Sequence, residues 1–342
     1  MSLTRIGAAS GAAGLTLFAF GCGRYADFAL PAPGQPGTST SFRWEAMREP
    51  VLTRGPDGAW DAVDALNPSV VKEGHRYLNL YSGFDGRSWR TGLAVSDDGV
   101  VWTRLGKVLS PDPASWEGDY IAANGSLYRS GSQFLYWYQG GRPPAIGLAR
   151  STDARHWVKT GVPVLRPGPR GRWDERGVAD PYVVQSAAVF YMYYLGQDRA
   201  RRQRLGIARS FDGVEWQKLR SNPILEPGPP GTFDENGLGE PAVWASHGSY
   251  WMLYTGRDRH EQRRLGLARS PDGVRWVRVG DFSAVAGEQS WNSKVVCDPS
   301  VEVDDGLIRV WFGGGNVASP DENLNGQIGL AVLRPVNANL TK

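Results

Sequence analysis

Five polar side chains recur along this chain in one local setting. Asp180 and Glu240 each stand before a proline at the head of an apolar run, in GVADPYVV (Gly177 to Val184) and GLGEPAVW (Gly237 to Trp244). Asn67 and Asp298 also precede a proline, and Asn124 precedes a glycine. The intervals between the five are 57, 56, 60 and 58 residues, so one unit is repeated five times. Three acids gathered around one axis repel, and neighbouring carboxylates push each other's pKa values apart, so that one stays protonated near neutral pH. A protonated carboxyl beside an ionised one is suited to general acid/base chemistry. Strand caps that only hold water would be interchangeable small polar groups; the longer Glu and the three acids favour a functional cluster.

Each repeat reads as four strands. A short run follows the polar residue. An aromatic-rich second strand comes next (FLYWYQGG, FYMYYLG, YWMLYTG), then a third of the type LGLARS, then a fourth carrying Trp, as in EWQKL and RWVRV. Asp98-Gly99, Asp212-Gly213 and Asp272-Gly273 sit between the third and fourth strands as hairpin turns, which gives those aspartates turn chemistry and no catalytic role. The last unit lacks a fourth strand, and RWEAMREPVL (Arg43 to Leu52) matches HWVKTGVPVL (His156 to Leu165), so the first ordered strand is expected to complete it. The expected fold is all-β, a five-bladed β-propeller of four-stranded blades, closed by its N-terminal strand so that no sheet edge stays open.

The strand directions place all five polar residues at the mouth of a central funnel. Proline is tolerated as a first strand residue, and the residue before it is biased to extended backbone, which would aim these side chains inward. The aromatic residues that open each repeat (Trp60, Trp116, Trp173, Phe233, Trp291) occur in every unit, which assigns them to packing between blades before sugar stacking.

Residues 1–22 read as a signal peptide: Arg5, then IGAASGAAGLTLFAFGC, ending at a lipobox-like Cys22 as the lipidation site. An ordinary signal peptide with a chance cysteine is the alternative. Residues 23–41 read as a Pro/Gly/Ser-rich tether, 42–335 as the propeller and 336–342 as a tail. The expected location is the bacterial cell envelope by a lipid anchor, or outside the cell if Cys22 is not lipidated. The only other cysteine is Cys297, so no disulfide is expected. A net charge of +3 is too small to imply nucleic acid. The four histidines have no ligand spacing, so neither metal nor cofactor is expected, and a monomer is.

With ADPYVV, GEPAVW and the GLARSPDGVRW type of hairpin, the chain from Phe42 to Pro335 resembles the five-bladed propeller glycosidases, the superfamily holding glycoside hydrolase family 43 and relatives among families 32, 62, 68 and 130. The resemblance implies an oligosaccharide or polysaccharide substrate, a general base on the first blade, an orienting Asp on the third and a Glu general acid on the fourth. Asp180 and Glu240 match the last two. Glycosidic cleavage needs such a pair, one carboxyl protonating the leaving oxygen and one serving water or the anomeric carbon.

The first blade departs from the pattern, because Asn67 cannot take a proton from water. The base then falls to Asp298, or to Asp64 or Asp119; or phosphate attacks and none is needed, as the family 130 phosphorylases imply; or the site binds glycan without cutting it. Asn67 and Asn124 are the expected contacts to sugar hydroxyls. GQDRARRQRLG and GRDRHEQRRLG are rich in arginine and join second to third strands of the blades carrying Asp180 and Glu240. Arg199 and Arg257 in them are candidate substrate contacts, for which phosphate, a uronate or a sulfated sugar would be suited; a solvated charged loop is the competing explanation.

Overall fold

The computed structural model describes residues 23–34, 39–280, 282–304 and 306–337. Cys22, the export segment and residues 338–342 lie outside the described residues. The fold is all-β, and the only helical turn among the described residues is a 3-10 turn at Ser290–Asn292. No helix among them is long and apolar enough to cross a membrane.

Two short strands, β1 (Tyr25–Ala26) and β2 (Ser39–Ala46), precede the repeats. The first unit is β3 (Asp64–Glu73), β4 (Arg76–Phe84), β5 (Trp89–Ser96) and β6 (Thr103–Leu109). The second is β7 (Ile121–Ser130), β8 (Gln133–Gly140), β9 (Ala145–Ser151) and β10 (Val158–Lys159). The third is β11 (Gly177–Ser186), β12 (Val189–Gln197), β13 (Gln203–Ser210) and β14 (Gln217–Leu219). The fourth is β15 (Gly237–Ser246), β16 (Ser249–Arg257), β17 (Arg263–Ser270) and β18 (Val277–Arg278). Then come β19 (Val295–Asp304), β20 (Leu307–Gly315) and β21 (Gln327–Asn337), and β2 pairs antiparallel with β21.

Within each unit the strands form an antiparallel meander. The innermost strands are stitched by the residue two places after the polar position. Ser69 Oγ accepts from Leu127 N at 2.7 Å, Ser126 Oγ from Val183 N at 2.9 Å, and Ser300 Oγ from Val70 N at 2.9 Å. The last bond joins the first repeat to the fifth.

One packing device recurs in every unit. The aromatic of each repeat lies over two glycines, one on the second and one on the third strand of its own unit, where a Cβ would stand 2.2 Å from Trp173 at Gly196 and 2.4 Å at Gly206. In the first four units the acid after it is buried and accepts from the second-strand tyrosine, as from Tyr81 to Asp61 at 2.8 Å, Tyr138 to Glu117 at 2.5 Å and Tyr254 to Asp234 at 3.2 Å; the fifth has Asn292 there. A cation from the fourth strand completes the group, Lys159 on Glu117, Lys218 on Asp174 and Arg278 on Asp234. The aromatics are therefore packing residues, as expected: each packs over the glycines of its own unit and borders a core cluster shared with a neighbouring unit. The Asp-Gly turns add hydrogen bonds between units. Gly213 O accepts the Trp137 indole N–H at 2.8 Å, and Gly99 O that of Trp311 at 2.8 Å.

Two expectations need correction. The segment after Cys22 is not a bare tether. Tyr25–Ala26 pairs parallel with β14, Leu30 is buried in the core beneath units three and four, and Phe28 packs beside it. Its apolar residues fall before Pro31, and only the later part is rich in Pro, Gly and Ser. The polar residue before each proline, or before Gly125, is not extended either. Asn67, Asn124, Asp180, Glu240 and Asp298 all have φ between +44 and +51°. Each sits at a bulge inside its strand, as between Ala179 and Tyr182, and a bulge is where a strand accepts proline.

Candidate active site

The five bulges set the site. A left-handed backbone at a non-glycine residue costs on the order of 1–3 kcal/mol, and it occurs here at five equivalent positions around one axis. The bulge turns each polar side chain off the strand pleat toward the axis. Asn67, Asn124, Asp180, Glu240 and Asp298 together form the floor of a cleft of about 420 Å³, the size of a small-ligand site. Below them a narrow space of about 30 Å³ continues down the axis between Pro68, Pro181, Pro241 and Pro299.

The three acids are electrostatically linked. Burial pushes the Asp180 carboxyl well above its ordinary value, and the charges of Glu240 and Asp298 add to this against the opposing pull of Arg263 and Asn124. Asp298 is raised to about 7, by burial first and by Glu240 second, while Arg263, the Cys297 thiol and the Asn67 N–H pull it back. Its Oδ2 accepts from Asn67 N at 3.2 Å and from Cys297 Sγ at 3.1 Å, and Thr255 Oγ1 accepts its own N–H at 3.2 Å. Burial holds the Cys297 thiol protonated, so it donates. Glu240 Oε2, Asn124 Oδ1 and Arg263 Nε are buried without a protein partner. Asp298 can thus exchange a proton near pH 7.

All the carboxyls and amides expected at the site are brought together: Glu240, Asp180 and Asp298, with Asn67 and Asn124. The alternative bases are not. Asp64 is fully buried and accepts the backbone N–H groups of Asn323, Leu324 and Gly326, which fixes the β20–β21 loop. Asp119 is exposed and off the cleft lining.

Of the two arginine candidates, Arg257 reaches the cleft and Arg199 does not. Arg199 is two-thirds exposed, 3.6 Å from Glu175, because its loop turns outward at Asp198. Arg257 is already engaged by Glu261, Gln203 and the Pro320 carbonyl. Arg204 is likewise held by Asp198 and Glu226. Arg263 is the arginine that the site-residue reading passed over. It is 6 % exposed, lies on the cleft and faces the acids, and it binds the carbonyls of Ser319 and Pro320. Its place at the start of a third strand was visible in the sequence, but nothing there separated it from its neighbours. The aromatics Trp89 and Tyr120 form one wall, with Arg142 4.0 Å over the Tyr120 ring and the Tyr120 hydroxyl donating to Glu322 at 2.6 Å. With Asp321 and Glu322 at the rim and most arginines neutralised, the cleft suits an uncharged, hydroxyl-rich ligand better than an anionic one.

Residues 143–298, which hold Asp180, Glu240 and Asp298, match the family described as glycosyl hydrolases family 32 N-terminal domain. An uncharacterized protein of Mycobacterium tuberculosis is 29 % identical over 235 residues, 64 % of this chain and 76 % of that one. A raffinose invertase of Escherichia coli is 31 % identical over 47 % of this chain and 34 % of its own length. A 1,2-beta-oligomannan phosphorylase of Thermoanaerobacter is 30 % identical over 34 % of this chain and 42 % of its own. Among solved structures, one from the GH130 family of mannoside phosphorylases and glycoside hydrolases superposes with a TM-score of 0.69 at 16 % identity, covering 92 % of this chain and 99 % of that one. The Bombyx mori beta-fructofuranosidase superposes at 0.63 with 16 % identity, covering 84 % and 65 %. The bulge-borne carboxylates and these likenesses converge: the chain is similar to the five-bladed β-propeller glycosidase superfamily in sequence over part of its length and in fold over most of it.

Proposed function

We propose that this protein cleaves glycosidic bonds of a neutral oligosaccharide in the cleft floored by Asp180, Glu240 and Asp298. The observation that carries the reading is the gathering of these three carboxyls on one cleft floor, with Asp180 and Asp298 raised above the ordinary carboxylate range. Glu240, the longest of the three, protonates the leaving oxygen. Asp180 orients it, and Asp298 takes the proton of the attacking water in place of the absent first-blade acid. Asn67 and Asn124 bind sugar hydroxyls. We further infer that the five units close a ring through β2, which the β2–β21 pairing and the Val70–Ser300 bond support.

A second reading is phosphorolysis. Asn67 at the usual place of the base and the buried Arg263 favour it, and one partial relative is a phosphorylase. The test is a panel of neutral and acidic oligosaccharides given to the chain from Gly23 onward, with and without phosphate, read by mass. Release that needs only water supports hydrolysis, and release that needs phosphate supports the second reading. Glu240→Gln should lose about 10²–10⁴-fold in turnover while keeping the thermal transition. A fully active variant would sink the assignment, and binding without any product would leave a glycan-binding protein.

A further inference from the structure

We propose that the fifth unit carries a second ligand site, apart from the cleft, for a primary alkylammonium ion: a charged amino group on an apolar stem. The site arises where this unit lacks a buried group that the other four contain. It does not depend on what the cleft cleaves.

In the first four units a cation from the fourth strand meets the buried acid and also a carbonyl of the segment entering the unit. Lys159 binds Glu117 and the Ser110 carbonyl, and Lys218 binds Asp174 and the Arg166 carbonyl. Arg278 binds Asp234 and the Glu226 carbonyl, and Arg104 binds the Thr53 carbonyl 3.4 Å from Asp61. Lys159, Lys218 and Arg278 also stand over the second-strand rings of Tyr138, Tyr194 and Tyr254, at 5.6, 5.6 and 5.8 Å.

The fifth unit has no member of this group. Its fourth strand is β2, where Trp44 takes the place of Trp157 and Ala46 therefore that of Lys159. Asn292 replaces the acid. Phe312 replaces the tyrosine and stacks on Trp291 as Tyr254 lies on Phe233. The entering segment is shorter too: Val285 to Trp291 is an interval of six residues, against eight from Leu225 to Phe233. What remains is a cavity of about 350 Å³ bordered by Trp44, Ala46, Ala286, Glu288, Asn292 and Phe312. That is room for a small ligand, and no residue of it is shared with the cleft.

The cation is gone, but what would receive one is still there. The Phe312 ring lines the cavity. Val285 bridges Leu265 as Leu225 bridges Leu205, so the Ala286 carbonyl stands where that of Glu226 meets Arg278. Asn292 is neutral, but the carboxylate of Glu288 borders the same space and has no ion pair among the described residues. No lysine or arginine lines the cavity. An alkylammonium ion restores the lost contacts: charge over the ring, N–H groups to the Ala286 carbonyl and Glu288, and a stem along Trp44 where lysine methylenes run in other units. An anionic occupant would face Glu288 unpaired.

The test is calorimetric titration of the purified protein with n-hexylamine, n-hexanol and hexanoate, three heads on stems of one length. The amine is expected to bind at least about tenfold more tightly than the alcohol, and hexanoate more weakly than either. Glu288→Gln should weaken the amine about three- to tenfold and leave the alcohol unchanged. Ala46→Lys with Asn292→Asp rebuilds the group of the other units, and should abolish amine binding and raise the thermal transition. Ala46→Leu fills the space by a single change and should also abolish binding, which keeps the test open if the double variant does not fold. Asp298→Asn should leave amine binding unchanged, since the cleft is a separate site. No saturable binding of the amine, equal affinity for amine and alcohol, an unchanged affinity in Glu288→Gln, binding that survives the filled cavity, or binding lost in a folded Asp298→Asn protein would each overturn the proposal.

Discussion

The backbone N–H of Asn67 donates to Oδ2 of Asp298 at 3.2 Å, across the seam between the first and fifth repeats. The bulge that holds Asn67 at φ +47° therefore also holds the carboxylate that we propose takes the place of the missing first-unit acid. A base raised to about 7 is half ionised near neutrality, where general-base catalysis is most effective. The expected kcat/KM profile rises with pH through about 7 as Asp298 loses its proton. Asp298→Asn should remove that rising limb and lower turnover. A limb that persists unchanged in the variant assigns the ionisation elsewhere.

Asp180 gives a prediction about stability. Its folded-state pKa lies well above 3.8, chiefly through burial. Between the unfolded and folded pKa values the folded protein binds more protons than the unfolded chain, so stability falls as pH rises through that window. Asp180→Asn removes the penalty. The variant should melt higher than the parent at neutral pH, match it near pH 4, and lose activity. A neutral or lower melting point at pH 7 would show that the carboxyl is not strained by its burial.

The repeat could be read because its signals are local. A polar residue before Pro or Gly, an aromatic ahead of it, and an Asp-Gly turn behind it each depend on nearby chain, and their five-fold recurrence gave the count of units. The site floor was legible for the same reason, since equivalent positions of a repeat meet at its axis. What was not legible depends on distant chain. The positive φ at Asp180 contradicts the ordinary bias before proline and is held by the bulge opposite Leu195 and Tyr193. Arg263 and Arg199 read alike in sequence, and only the fold buries one and exposes the other. The N-terminal strap, residues 23–34, looked like a linker because its three large apolar residues, Tyr25, Phe28 and Leu30, have no periodicity; their partners lie some two hundred residues away.

The aromatic-over-glycine device should not tolerate a methyl group. At Gly196 a Cβ would stand 2.2 Å from the Trp173 ring and 2.8 Å from the Asp174 Cβ, and Gly206 approaches the same ring from the next strand. Gly196→Ala should cost at least the roughly 1–3 kcal/mol of ordinary overpacking. Gly171→Ala, where the Cβ would meet nothing within 4 Å, controls for crowding, although its φ of +87° carries its own strain. Denaturant unfolding compares them. The prediction fails if Gly196→Ala is no less stable than the parent.

The strap should contribute to stability as well as position. Leu30 is 5 % exposed and fills the space over Gly273, against which its methyl groups pack. Truncating a buried leucine to alanine costs about 2–5 kcal/mol where the surroundings cannot collapse, and the turn at Gly273 is fixed by bonds to Tyr193 and Trp276. Leu30→Ala should therefore lower stability by an amount within that range. A fragment starting at Phe42 loses the same contact together with the β1–β14 pairing and should be less stable again. Equal unfolding midpoints for the chains beginning at Gly23 and Phe42 would mean that the strap rests on the propeller without stabilising it.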